Sequence, residues 1–162
     1  MSELRIRPAV RADLPTLGRL GASLLRLHHG FDADRFMAPP DEAEAGYAWF
    51  LGTQLNAEDV VVLVATRDEA VVGYVYAGLE PMSWKELRGP AGFVHDVVVD
   101  EAAREGGVAT ALVEAAVSWL EQRGAPRTLL MTAEANAAAR RLFARLGFRA
   151  TMIEMTRERR GS

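Results

Sequence analysis

Val97-Val98-Val99-Asp100-Glu101-Ala102-Ala103-Arg104-Glu105-Gly106-Gly107-Val108-Ala109-Thr110 is the stretch whose reading decides the fold. Three valines in succession suit a buried strand. After a short charged link comes the glycine pair Gly106-Gly107, and a helical pattern starts at that point. Glycines let a backbone approach a ligand closely, and a helix start leaves several N–H groups free. Such an end attracts phosphate without needing a lysine. The same two glycines would also serve a plain strand-to-helix turn. The Lys-Ser/Thr of a P-loop is absent and so is the dinucleotide pattern G-x-G-x-x-G, which weakens both common nucleotide readings.

Working outward, residues 107–123 read as a helix with Val108, Leu112, Ala116, Trp119 and Leu120 on one stripe and Gly124 as its stop. Residues 128–132 then read as a strand, 136–146 as a helix closed by Gly147, and 148–156 as a last strand. Upstream, 60–65 and 71–77 are β-branched and aromatic runs that predict an antiparallel hairpin, and 93–99 is a third run after the loop at 81–90. Leu4-Arg5-Ile6-Arg7 alternates as a short edge-type strand ended by Pro8. Asp13 is expected to cap a helix with Leu14, Leu17, Leu20, Leu24 and Leu27 at helical spacing, stopped by Gly30. Residues 41–55 predict a second helix, acidic at its start. The order β-α-α-β-β-β-α-β-α-β places the chain in the α/β class, around a single mixed, mostly antiparallel sheet flanked by helices.

Composition narrows the function. The chain has 162 residues, 49% hydrophobic and 25% charged, which is the range of one soluble globular domain. A single domain over 1–156 with a short tail at 157–162 is expected. Cysteine is absent, which removes a disulfide scaffold, a thiolate metal site and a cysteine nucleophile. Three histidines, His28 and His29 adjacent and His95 apart, leave little for a histidine zinc site, so no metal is expected. A net charge of −3 argues against a polyanion binder, and the arginine-rich C-terminus lacks interleaved aromatics, so no nucleic-acid partner is expected. No apolar run reaches the ~20 residues of a membrane span. The start carries charges where a signal peptide needs its apolar stretch, so a cytoplasmic setting without membrane is expected.

Arg104-x-x-Gly107-x-Ala109 resembles the R/Q-x-x-G-x-G/A signature of the GNAT superfamily of N-acetyltransferases. Ile6-Arg7-Pro8-Ala9 with Ala12-Asp13-Leu14 looks like the opening of that family, and residues 136–148 are similar to its C-terminal motif. The three resemblances fall in family order across nearly the whole chain. They imply acetyl-CoA as cosubstrate and a primary amine of a small molecule or peptide as acceptor, attacked directly. They also imply a possible homodimer.

By that resemblance, backbone groups of Val97, Val98 and Val99 meet the pantetheine, and the Val97 amide faces the thioester carbonyl and stabilises the developing oxyanion. Arg104, Glu105, Gly106, Gly107, Val108, Ala109 and Thr110 form the pyrophosphate loop, and Asn136 meets the pantetheine arm. In many members a tyrosine of the C-terminal helix protonates the leaving thiolate. Phe143 stands there instead; it can pack on the pantetheine but donates no proton.

An ammonium must lose a proton before it attacks. His95 is the first candidate base, since it lies two residues before Val97 on the same face of a regular strand and imidazole is the side chain suited to general-base work near neutral pH. A histidine here is similar to the second strand histidine of arylalkylamine N-acetyltransferases, with Phe93 replacing the first. Glu80 is the second candidate. Asp96 would face the other way and be structural. The region of the first two helices, with His28, Tyr47 and Trp49, would form the acceptor wall. Trp84 and its loop would cover the acceptor or simply pack. Nine acidic residues against two arginines between 32 and 69, and seven arginines against two glutamates between 140 and 160, would suit a cationic acceptor and anionic CoA on opposite sides. A catalytically silent acyl-CoA-binding module of the same fold is the alternative.

Overall fold

A computed structural model describes residues 2–161. The chain runs β1 (Leu4–Pro8), a 3-10 turn at Arg11–Asp13, α1 (Leu14–Phe31), α2 (Ala43–Gln54), β2 (Val60–Arg67), β3 (Ala70–Glu80) and β4 (Ala91–Val99). A second 3-10 turn at Glu101–Ala103 leads to α3 (Val108–Gln122), β5 (Thr128–Leu130) and α4 (Ala137–Arg145). The five strands form one sheet in the order β1-β2-β3-β4-β5. The first three pairings are antiparallel and β4 with β5 is parallel, so the sheet is mixed, as expected.

Each face of the sheet holds its own core. On one face Val61, Leu63, Ala65, Val75, Ala77 and Val94 pack against Val108, Leu112, Ala116 and Leu120 of α3. On the other, Val62, Val64, Tyr74 and Val98 pack against Leu17 and Leu20 of α1 and Leu51 of α2. The strict alternation along β2 produces this division, because successive side chains of a strand leave by opposite faces. Each fully buried leucine contributes about 1.5–3 kcal/mol relative to exposure.

Four expectations need correcting. The strand expected at 148–156 does not form; residues 149–159 have no regular structure and are exposed. That segment pairs with no strand among the described residues, and β propensity without a pairing partner makes no strand. β5 stops at Leu130 instead of residue 132. Gly30 does not stop α1, which runs on to Phe31, where the Asp32 backbone N–H closes the helix on the His28 carbonyl. Asp13 precedes α1 without capping it; its carboxylate instead accepts from both Arg7 Nη atoms at 2.8 and 2.9 Å and from the Val10 N–H at 2.8 Å. No helix among the described residues is long and apolar enough to cross a membrane.

Candidate active site

β4 and β5 part company soon after they meet. They pair only through Gly92–Val94 with Thr128–Leu130, and beyond those rungs a cleft opens. A cavity of about 280 Å³ fills it, with His95, Asp96 and Val97 on one wall and Met131, Thr132 and Asn136 on the other. Leu24, His28 and Tyr47 of the α1–α2 face and Ala139 and Phe143 of α4 complete the lining. The cavity therefore collects His95, Val97, Asn136 and Phe143 from the sequence-derived set. Val98, Val99 and residues 104–110 lie outside its lining, further along the β4–α3 connection, and Glu80 reaches it only through His95.

A β-bulge rewrites the orientation of this strand. In the β3–β4 register Tyr76 faces Asp96 while Ala77 faces Val94, so His95 is the extra residue. An extra residue turns two successive side chains to one face. His95 and Asp96 both lie on the α1–α2 face: the His95 ring is 4.9 Å from that of Tyr76 and stacks on Phe93 at 5.1 Å, and Asp96 meets Tyr47 and Tyr74. Val97 and Val99 turn to the α3 side. The expectation that His95 and Val97 share a face is thus overturned, since His95 shares the face of Asp96; Asp96 does lie opposite Val97. Period-two alternation has no way to register one inserted residue.

His95 Nε2 lies 3.3 Å from Glu80 Oε1, and the histidine side chain is 29% exposed, so a carboxylate orients an imidazole that still meets solvent. Asp96 is the deeper group. Its Oδ2 accepts from the Tyr74 hydroxyl at 3.0 Å and from the Tyr47 hydroxyl at a long 3.4 Å. Burial pushes the Asp96 carboxyl above its ordinary value, and the two tyrosyl hydroxyls oppose that shift only in part. Both tyrosines are raised, first by burial and then by the Asp96 charge. Tyr47 thus directs its proton at Asp96 and holds it more tightly than a free tyrosine does.

The glycine loop is a prepared helix start. Gly107 adopts φ +78°, a left-handed conformation, and α3 begins at the next residue. The first intrahelical bond runs from Ala111 N–H to the Gly107 carbonyl at 3.1 Å, which leaves the amides of Val108, Ala109 and Thr110 ahead of the ladder. Arg67 donates to the Gly106 carbonyl at 2.8 Å and adds positive charge beside the loop. Free amides, an α3 dipole and a guanidinium are a donor set suited to a pyrophosphate. Asn136 caps α4, its Oδ1 accepting from the Ala139 N–H at 3.1 Å. Trp84 is 83% exposed and its loop does not line the cavity.

A family model described as the acetyltransferase (GNAT) family matches residues 24–148. No curated protein matches the chain in sequence. Among solved structures, a variant of the BH1408 protein from Bacillus halodurans is similar with TM-score 0.83 and 22% identity, over 95% of this chain and 98% of that one. A transcriptional regulator from Bacillus halodurans C-125 has TM-score 0.75 and 22% identity, over 96% and 99%. An aminoglycoside N-acetyltransferase in complex with CoA has TM-score 0.74 and 20% identity, over 99% and 97%. At such identities the likeness is one of fold.

Proposed function

From the premise that this chain belongs to the GNAT acetyltransferase family, we propose that it transfers an acetyl group from acetyl-CoA to a primary amine of a small molecule or peptide. The observation that carries the reading is the cleft where β4 and β5 separate, with Val97 and Asn136 on its rims and the glycine loop at the far end of the same strand connection. An aminoglycoside N-acetyltransferase bound to CoA shares the fold and supports a small-molecule acceptor. We take residues 1–156 as one catalytic domain, 157–162 as a tail, and the cytoplasm as its setting.

Acetyl-CoA supplies the activated acyl carbon. Val97, Val98 and Val99 offer backbone groups to the pantetheine, and the Val97 N–H stabilises the oxyanion that develops on attack. Arg104, Glu105, Gly106, Gly107, Val108, Ala109 and Thr110 hold the pyrophosphate, Asn136 steadies the pantetheine arm, and Phe143 packs on it. His95, oriented by Glu80, takes the proton that the ammonium must lose. Attack is direct, in a ternary complex, because the chain has no cysteine to carry an acyl group.

Isothermal titration with acetyl-CoA, and separately with NADH and ATP, tests the cofactor assignment. Saturable binding of acetyl-CoA alone is expected, and no binding at millimolar ligand would sink it. A thiol-release assay on an amine panel then tests turnover, with His95→Ala lowering kcat about 10²–10⁴-fold and removing the pH limb of the base. A second reading, a silent acyl-CoA-binding module, draws on Phe143 and on the transcriptional regulator of the same fold. Acetyl-CoA binding without thiol release from any amine would favour it.

A further inference from the structure

Arg67 is the last residue of β2, and the alternation that sends Val61, Leu63 and Ala65 to the α3 face sends its side chain there too. Its backbone is held from both sides, paired with Leu4 of β1 and with Ala70 of β3. The turn that follows consists of Asp68 and Glu69, both with left-handed φ, at +50° and +66°. Neither carboxylate pairs with the Arg67 guanidinium, and no other carboxylate among the described residues does.

The guanidinium is committed instead to the loop ahead of α3, where Nη2 donates to the Gly106 carbonyl at 2.8 Å. A Cβ added to Gly106 would lie 2.7 and 2.9 Å from the two Nη atoms and 3.2 Å from Cζ, so the guanidinium fills the space that a side chain at 106 would need. Gly106 lacks the positive φ of Gly107, so its φ does not call for glycine. Contact with Arg67 does. Nε of Arg67 is buried and finds no acceptor among the described residues, and the side chain belongs to neither core cluster. A buried donor left without a partner is destabilising, so stability alone explains this side chain poorly.

We propose that Arg67 is a positioning residue of the CoA phosphate loop, acting through Gly106 from the end of the β2–β3 hairpin. The Gly106 carbonyl and the Gly107 N–H belong to one planar trans peptide unit and point in opposite directions. Fixing the carbonyl on Arg67 therefore fixes the Gly107 N–H on the other side, where it donates to no backbone carbonyl among the described residues. A loop of two glycines would otherwise lose much conformational freedom on binding, and anchoring it beforehand lowers that cost. The inference rests on the acetyl-CoA reading above and adds to it a residue from outside the loop's own sequence.

Isothermal titration of the full chain with acetyl-CoA reads the effect, with thermal unfolding alongside. Arg67→Ala is expected to weaken acetyl-CoA binding about 10-fold, the size of one hydrogen bond to a charged group. Gly106→Ala is expected to weaken it about as much, because the new Cβ displaces the end of a flexible side chain. Both variants should keep the wild-type Tm. The double variant should bind no worse than either single one, since each removes the same contact. Losses that multiply to about 100-fold would mean that Gly106 serves its own turn, and would overturn the proposal. So would wild-type affinity in Arg67→Ala, or a Tm in either variant that falls along with the affinity, since the role would then be structural. A wild type that fails to bind acetyl-CoA ends the acetyl-CoA reading and this inference together; unaltered variants of a wild type that binds end this inference alone.

Discussion

Two buried or half-buried aspartates answer pH in opposite directions. Asp13, 8% exposed, sits between both Nη atoms of Arg7 and the Val10 amide, and the bonds from Arg7 hold its carboxyl below the ordinary value of 3.8. Its native pKa is depressed, so its stabilisation is full above the unfolded value and is lost as pH falls through the native one. Asp13→Asn is expected to cost about 1–3 kcal/mol at neutral pH, and the cost should shrink in acid below about pH 4. Asp96 behaves conversely, because burial raises it and the native state binds its proton more tightly than the unfolded chain does. Its contribution is best in acid and declines as pH rises through the native pKa; Asp96→Asn, which cannot titrate, should lack that decline. Urea unfolding across pH measures both, and parallel curves for wild type and Asp96→Asn would refute the second assignment.

At the level of elements, the α1–α2 pair sets one wall of the cleft through small residues. A Cβ on Gly21 would clash with the Tyr47 ring, and one on Gly18 would strike the Glu44 carbonyl. The helices approach closely because those side chains are missing, and Tyr47 thereby reaches over α1 to Asp96. Gly21→Ala gains about 1 kcal/mol of helix propensity but meets an overpacking cost of about 1–3 kcal/mol, so a net loss of stability with displacement of Tyr47 is expected. Gly46→Ala is the control. It lies inside α2 with open space around its Cβ, and should stabilise the protein by up to about 1 kcal/mol. Thermal unfolding of the two variants should therefore move in opposite directions.

Over the whole molecule, stability is unevenly distributed. The central strands β2, β3 and β4 with α3 hold most of the fully buried side chains, whereas α4 and the segment after it hold none. Hydrogen exchange should be slowest in β2–β4 and fast beyond residue 148 at low protein concentration.

Local sequence settled a good deal of this molecule. Valine runs and the glycine pair located β4, the loop and α3, since residue type and spacing act within a few positions, and the alternation of β2 divided the two cores. The motifs around Arg104, Gly107 and Ala109 identified the family that the matched residues 24–148 then showed. Tertiary structure alone decided the rest. One bulge at His95 brought Asp96 to the face of Tyr47 and Tyr74, because a strand's side-chain parity depends on its pairing and not on its own residues. Likewise, whether 148–156 becomes a strand depends on pairing with an edge, and among the described residues it pairs with none.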